Sequence, residues 1–230
     1  MIPKIIHYCW FGRNPKPQKV LDYIETWKRF CPDYEIKEWN EDNFDYKSLK
    51  YTREAYAVKK YAFVSDVARL YALYNYGGIY FDTDIFVLKN FDDLLENESF
   101  LGYETNNILG TGVIGAEKGT TWLLDFFNVY KNLSFITKYG NLDLLPNTLR
   151  LKKLSFLKDF VFDNQEAIIL HQIHVYPFEF FCAKDFKSKT INATKATYCI
   201  HNYTGSWLRI KEMTIPMRLK NLFIKYLLCN

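Results

Sequence analysis

Asp82 and Asp84 stand one residue apart in "GGIYFDTDIF", residues 77 to 86, a run whose other members are mostly apolar. Alternate residues of a strand share a face, so Tyr80, Asp82 and Asp84 would line up on one side while Ile79, Phe81 and Ile85 face a core. Two carboxylates held that close repel, and burying either without a partner is expensive. Water or a cation must stand between them. Hard oxygen donors suit Mg²⁺ or Mn²⁺, and too few acids cluster here for an all-protein calcium cage. Such an ion keeps coordination positions open for a phosphate-bearing ligand. D-x-D alone is a weak pattern, common in turns and at helix starts, and its apolar setting is what places it at a strand end.

Other residues could do chemistry. Asp66 and Arg69 lie three apart on a predicted helix, where the plain reading is an exposed ion pair of a few tenths of a kcal/mol. His171 and His174, in "LHQIHVYP", fall on a predicted strand that would send them to opposite faces, which argues against a second metal site.

The elements that must position these residues alternate. Strand-like runs at "KIIHYCW", "YEIKEW", "GIYFD", "SFLGYE" and "GVIGA" are interleaved with helical patterns near residues 18 to 30, 53 to 76 and 120 to 132. That order predicts an α/β domain, Rossmann-like, with a mostly parallel central sheet flanked by helices. Phe63, Val67, Leu70 and Tyr74 form one apolar stripe, and Gly77-Gly78 supplies the helix stop. Ligands of open α/β sheets collect at the carboxyl ends of the strands, where Asp82 and Asp84 fall. In the second half, "DNQEAIILHQIHVYPFEFFCAKDF" and "KATYCIHNYTGSW" read as short strands joined by loops.

Length and composition set the frame. At 230 residues, without a compositional break before the tail, the chain reads as one domain over residues 1 to 208. Its 18 Tyr, 19 Phe and 5 Trp exceed what a core of this size requires, so some rings line a site. The five cysteines, at 9, 31, 182, 199 and 229, form no C-x-x-C pair, and the N-terminus lacks the pattern of a signal peptide. A reducing cytoplasm is the expected compartment. No apolar run approaches the roughly 18 to 20 residues that span a bilayer. Residues 209 to 230 pair a basic face with Ile215, Leu219, Leu222, Phe223 and Tyr226 at helical spacing, the pattern of a basic amphipathic helix that either docks on the domain or contacts a membrane surface. Nucleic acid is not an expected partner.

Four motifs in order, "IPKIIHYCWFG", "WNEDNFD", "YAFVSDVARLYALYNYGGIYFDTDIFVL" and "IHNYTGSW", resemble the glycosyltransferase family 32 enzymes, which include capsular-polysaccharide transferases and, remotely, the glucosylating clostridial toxins. The resemblance is dense from Ile2 to about Leu95 and resumes at "TGVIGAEKG", "VYPFEFF" and the GSW motif. It implies a GT-A fold, a nucleotide-sugar donor, most simply UDP-linked, a divalent metal, and transfer with retention to a hydroxyl of a growing, lipid-linked bacterial surface glycan. It also implies residue roles. Trp10 stacks on the base, Asn43 contacts uridine, Asp66 holds sugar hydroxyls and Arg69 sits near sugar and diphosphate. Tyr80 joins the donor-binding set. Asp84 binds the metal directly, and Asp82 acts on ribose and through water. His201 or Asn202 supplies the third ligand, and Ser206 and Trp207 reach the leaving diphosphate from a closing loop. The segment "NLDLLPNTL" departs from the family, with Leu145-Pro146 where Gly-Pro is usual. Two other readings of the residues remain, a metal-dependent phosphoesterase, which ordinarily needs more acids or histidines for a second metal, and a non-catalytic sugar-binding module.

Overall fold

The computed structural model of the chain describes residues 1–169, 173–185 and 188–204. The first half alternates as expected: β1 (Ile5–Cys9), α1 (Gln18–Phe30), β2 (Glu35–Trp39), α2 (Lys50–Ala57), α3 (Tyr61–Tyr76) and β3 (Gly78–Phe81). The helical pattern at 53 to 76 is two helices, because Lys59 takes a positive φ of 59° and breaks the run between them. Gly77 stops α3: its N–H donates to Leu73 O at 2.8 Å, and its φ of 67° with Lys118 N 2.7 Å from where a Cβ would stand leaves room only for glycine.

After β3 the chain departs from the alternation. The run through "FDTDIF" is not one strand: it turns at Thr83 and Asp84, and β4 (Ile85–Val87) leaves the main sheet. Then follow β5 (Ser99–Thr105), β6 (Ile108–Ala116), α4 (Thr121–Lys131), α5 (Asn147–Leu151), β7 (Ala167–Ile169), β8 (Ile173–Tyr176), α6 (Phe178–Phe181) and β9 (Cys199–His201). Seven strands form one sheet in the order β2-β1-β3-β6-β5-β8-β7, while β4 and β9 pair separately.

The sheet is mixed rather than mostly parallel. β1 runs parallel to β2 and β3, and β5 to β8, but β6 is antiparallel to β3 and β5, and β7 to β8. The reason is local. Only Asn106 and Asn107 connect β5 to β6, and so short a connection reverses the chain, whereas a parallel neighbour needs a crossover.

Side chains from the two faces of the sheet make two cores. Tyr80 and Ile114 pack with α2, α3 and α4, among Tyr51, Val64, Val67, Leu70 and Phe126. Ile79 and Phe81 face the other way, toward α1 and a cluster holding Trp27, Phe91, Phe100 and Phe181. α3 is buried on more than one stripe, taking Asp66 and Arg69 inside with it. α1 braces the small sheet as well: Trp27 Nε1 donates to Ile85 O at 2.8 Å, and Val87 N donates to Thr26 Oγ1 at 3.1 Å. β9 thereby lies beside β4, with Ile85 opposite His201. Among the described residues, no helix is long and apolar enough to cross a membrane.

Candidate active site

Asp82 emerges from the end of β3, where its backbone N–H donates to Gly112 O at 2.8 Å. Asp84 follows the turn and meets β9. One oxygen each of Asp82 and Asp84 and a ring nitrogen of His201 lie within 4.8 Å of one another. Gly112 stands against this group, and a Cβ there would lie 3.0 Å from Asp82 Oδ2 and 3.3 Å from His201 Cε1. Two carboxylates, an imidazole and a wall kept clear by glycine fit Mn²⁺ or Mg²⁺.

Each carboxylate already has its own cation, so the repulsion expected between them in the metal-free protein is answered from within. Asp82 Oδ1 lies 3.2 Å from Arg69 Nη1 and accepts from Tyr80 Oη at 3.0 Å. Asp84 Oδ1 lies 3.1 Å from His201 Nε2, and Oδ2 accepts from the N–H and hydroxyl of Thr204 at 2.8 and 3.0 Å. Burial alone would raise the Asp84 carboxyl, but the His201 charge and these hydrogen bonds hold it well below the carboxylate range. His201 answers in kind: burial would lower its imidazole, and the Asp84 carboxylate outweighs that and holds it well above the usual histidine value.

Of the two candidates for third ligand, His201 lies in the cluster, and the Asn202 side chain is bonded beside it. The Asn202 side chain accepts from Lys184 Nζ at 3.1 Å through Oδ1 and donates to Asp84 O at 3.3 Å through Nδ2. Ser206, Trp207, His171 and the tail from 209 to 230 lie outside the described residues. His174 is engaged elsewhere, its ring nitrogens 2.9 Å from Asn97 Oδ1 and 2.7 Å from Glu166 Oε1.

The Asp66–Arg69 pair is buried, not exposed as the i,i+3 spacing alone had implied. Arg69 Nη2 donates to Asp66 Oδ1 at 2.9 Å, Nη1 donates to Thr111 O at 2.6 Å, and the guanidinium lies over the Tyr80 ring at 4.5 Å. Burial raises the Asp66 carboxyl to about 6 against the pull of Arg69. One guanidinium thus joins α3, β6 and Asp82.

Trp10 and Asn43 reach the same edge of the sheet, since β1, β2 and β3 run parallel and both residues follow strand ends. Trp10 is half-buried, with Nε1 donating to Asn14 O at 2.7 Å. Asn43 spends its amide on a turn: Oδ1 accepts from Asn40 N at 2.9 Å, and Nδ2 donates to Glu38 O at 2.7 Å.

Several neighbours of the site are not among the residues that the sequence singles out. Glu104, half-buried on β5, has its carboxyl raised by burial, opposed by His201 and reinforced by Asp82 and Asp84. Thr204 secures Asp84, and the ring of Tyr203 lies 4.2 Å from that of His201. Gly102, Gly110, Gly112 and Cys182 line a cavity with His201. The one local hint was an acid closing the apolar run "SFLGYE", on the same strand face as Gly102.

Residues 17–101, from before α1 into β5, match the family described as the glycosyltransferase sugar-binding region containing the DXD motif. The chain is 28% identical over 155 residues to inositol phosphoceramide mannosyltransferase 3 of Schizosaccharomyces pombe, across 64% of this chain and 42% of that protein. It is 31% identical over 129 residues to the uncharacterized glycosyltransferase L373 of Acanthamoeba polyphaga mimivirus, across 50% of each. The chain thus spans half or less of the length of both relatives. Among solved structures, a glycosyltransferase involved in the glycosylation of the major capsid of PBCV-1 matches 88% of this chain and 95% of its own at a TM-score of 0.50 and 10% identity, a likeness of fold. The chain thus has a GT-A fold, its residues 17–101 match the DXD-containing sugar-binding region of glycosyltransferases, and Asp82, Asp84 and His201 gather at the edge of that fold.

Proposed function

We propose that this domain transfers a hexose from a nucleoside-diphosphate donor, UDP-linked, to a hydroxyl of a growing, lipid-linked surface glycan. The observation that carries the reading is the convergence of Asp82, Asp84 and His201 beside the buried Arg69. Asp84 and His201 would hold Mn²⁺ or Mg²⁺ directly, with Asp82 contacting it through water and turning toward ribose. A bound cation supplies neutralising charge for the departing diphosphate.

The chain's own groups do the rest. Asp66, raised to about 6 and oriented by Arg69, accepts hydrogen bonds from sugar hydroxyls. The Arg69 guanidinium, fixed on three sides, faces the sugar and diphosphate without reorganising. The Trp10 ring stacks on the base. Asn43 can reach uridine only by releasing its two turn hydrogen bonds, so the base is held mainly by Trp10. The resemblance to family 32 would give Ser206 and Trp207 the leaving diphosphate to contact, with water excluded. The acceptor oxygen bonds to the anomeric carbon on the face the diphosphate leaves. The bond from that carbon to the diphosphate oxygen breaks with its electron pair, and the hydroxyl proton passes to the departing phosphate. Configuration is retained.

The relative named for inositol phosphoceramide mannosylation supports a membrane-borne acceptor, and the basic tail from 209 to 230 would bring the domain to that surface. The test is a panel of UDP-hexoses and a GDP-linked mannose, with nucleotide release measured with and without Mn²⁺ and an acceptor. Metal-dependent release confined to one sugar bears the reading out. Sugar-independent phosphate release would make the domain an esterase, and silence across the panel would leave a binding module.

A further inference from the structure

Lys184 lies shortly after α6, and its half-buried ammonium ends beside the site on an uncharged partner. Its one side-chain hydrogen bond among the described residues runs from Nζ to Asn202 Oδ1, at 3.1 Å. Asn202 carries that contact on to the site. It follows His201 at the end of β9, and its backbone N–H and its Nδ2 both donate to Asp84 O, at 3.1 and 3.3 Å. The ammonium is therefore two hydrogen bonds away from Asp84 without being its counter-ion. Both aspartates are engaged elsewhere: Asp84 Oδ1 faces His201 Nε2 and its Oδ2 accepts twice from Thr204, while Asp82 pairs with Arg69. An ammonium has three N–H donors, so one bond to an amide carbonyl leaves two for an anion.

We infer that Lys184 supplies a further positive charge to the diphosphate that leaves the nucleotide donor, through the N–H donors that Asn202 does not use. The inference rests on the donor site proposed above. When the bond to the anomeric carbon breaks, its electron pair stays with the diphosphate, whose negative charge grows until the acceptor proton reaches it. Arg69, the permanent cation already in the site, shares its donors among Asp66, Thr111 O and Asp82. Lys184 has no such competing acids. Held by a neutral amide, its ammonium also stays off both aspartates, where it would contend with a metal ion for the same oxygens. A charge set in place before the reaction stabilises the leaving group without reorganising.

The experiment measures, by calorimetry on the full chain, affinity for UDP in saturating Mn²⁺ and affinity for Mn²⁺ alone in the wild type, Lys184→Gln and Lys184→Arg, with thermal unfolding of each metal-free protein. Glutamine removes the charge but keeps an N–H donor for Asn202. UDP should bind it about tenfold more weakly and with a shallower dependence on salt, while Mn²⁺ affinity and unfolding stay at wild-type values. Arginine keeps the charge and should hold UDP within about threefold of wild type. Wild-type UDP affinity and salt dependence in Lys184→Gln would overturn the inference while leaving the donor site standing, as would a Lys184→Arg variant no better than Lys184→Gln. An equal loss of Mn²⁺ affinity would also overturn it, since Lys184 would then act through Asn202 on Asp84. Absence of Mn²⁺-dependent UDP binding by the wild type would overturn the donor reading itself.

Discussion

Arg69 places Nη1 3.2 Å from Oδ1 of Asp82, so the first aspartate of the pair carries a permanent counter-charge inside the protein. The second is neutralised differently: Asp84 faces His201, a cation that can be discharged by losing a proton. Two acids two residues apart are thereby made unequal. Asp82 is fixed in place, and the Asp84–His201 pair is the part of the site that can exchange a proton for a metal ion.

Removing the fixed cation should be costly. Arg69→Met leaves Asp66 and Asp82 without their buried partner, and we expect a loss of about 3 to 5 kcal/mol in urea unfolding. Arg69→Lys should lose less but still lose, because one ammonium cannot span Asp66, Thr111 O and Asp82 together. A methionine variant as stable as wild type would show that Arg69 does not hold this corner.

Metal binding should release about one proton per ion, taken from His201. Because the pairing with Asp84 raises the imidazole in the metal-free protein, proton and metal compete, and Mn²⁺ affinity should climb with pH by up to about tenfold per unit until His201 is neutral. Calorimetry in buffers of different ionisation enthalpy counts the proton. Affinity independent of pH between 6 and 9 would remove His201 from the ligand set.

Asp84→Asn takes away the counter-charge of the His201 imidazolium and weakens the two Thr204 bonds, so the metal-free protein should lose stability rather than gain it from relieved repulsion. Transfer should fall by about 10²- to 10⁴-fold. Chemical denaturation of the apo variant, with activity measured beside it, checks both. Near wild-type turnover would exclude Asp84 as a ligand.

Gly112→Ala tests the space beside the ligands. The added methyl would meet Asp82 Oδ2 at 3.0 Å and His201 Cε1 at 3.3 Å, both parts of the cluster, so the fold should survive while Mn²⁺ affinity drops about tenfold or more. Unchanged affinity would place the ion away from β6.

His7 should govern part of the acid sensitivity. It is fully buried on β1, with Nε2 2.7 Å from Gly77 O and Nδ1 accepting from Trp39 Nε1 at 3.0 Å, and burial pushes its imidazole down to about 4. Above pH 6.5 it is neutral whether folded or not. Below that the unfolded chain takes up a proton that the native state refuses, so stability falls as pH drops from 6.5 toward 4, by about 3 kcal/mol in all. Urea unfolding at pH 7.5 and 4.5 should show a smaller difference for His7→Gln than for wild type. Equal differences would refute the assignment.

What the sequence displayed was what local periodicity encodes. The strands around "KIIHYC" and "GIYF", the stop at Gly77-Gly78 and the placing of Asp82 at a strand end follow from neighbours within a few residues. The direction of β6 was hidden in the two-residue link at Asn106-Asn107, a turn signal that reading for βαβ alternation passes over. The depth of Asp66 and Arg69 could not be read from their spacing, because three residues apart on a helix says nothing of what packs around it. Glu104 and Cys182 were invisible for a similar reason, and Thr204, though inside "IHNYTGSW", carried no local sign of its bond to Asp84. They reach the site through the register of β5 on β6 and of β4 on β9, and pairing across such separations leaves no local mark.

The bond from Thr204 to Asp84 closes a loop of 120 residues. During synthesis the aspartates, α3 and β3 would all emerge long before β9, so a nascent chain can build most of its sheet while still unable to hold a cation in this site. Contacts of such sequence separation are slow to form, since the loop entropy is spent before they repay it. Docking of β9 on β4 is therefore the step at which a folded scaffold would gain its metal site, and a chain cut before Cys199 should keep Asp82 and Asp84 at the sheet edge with no third ligand to join them.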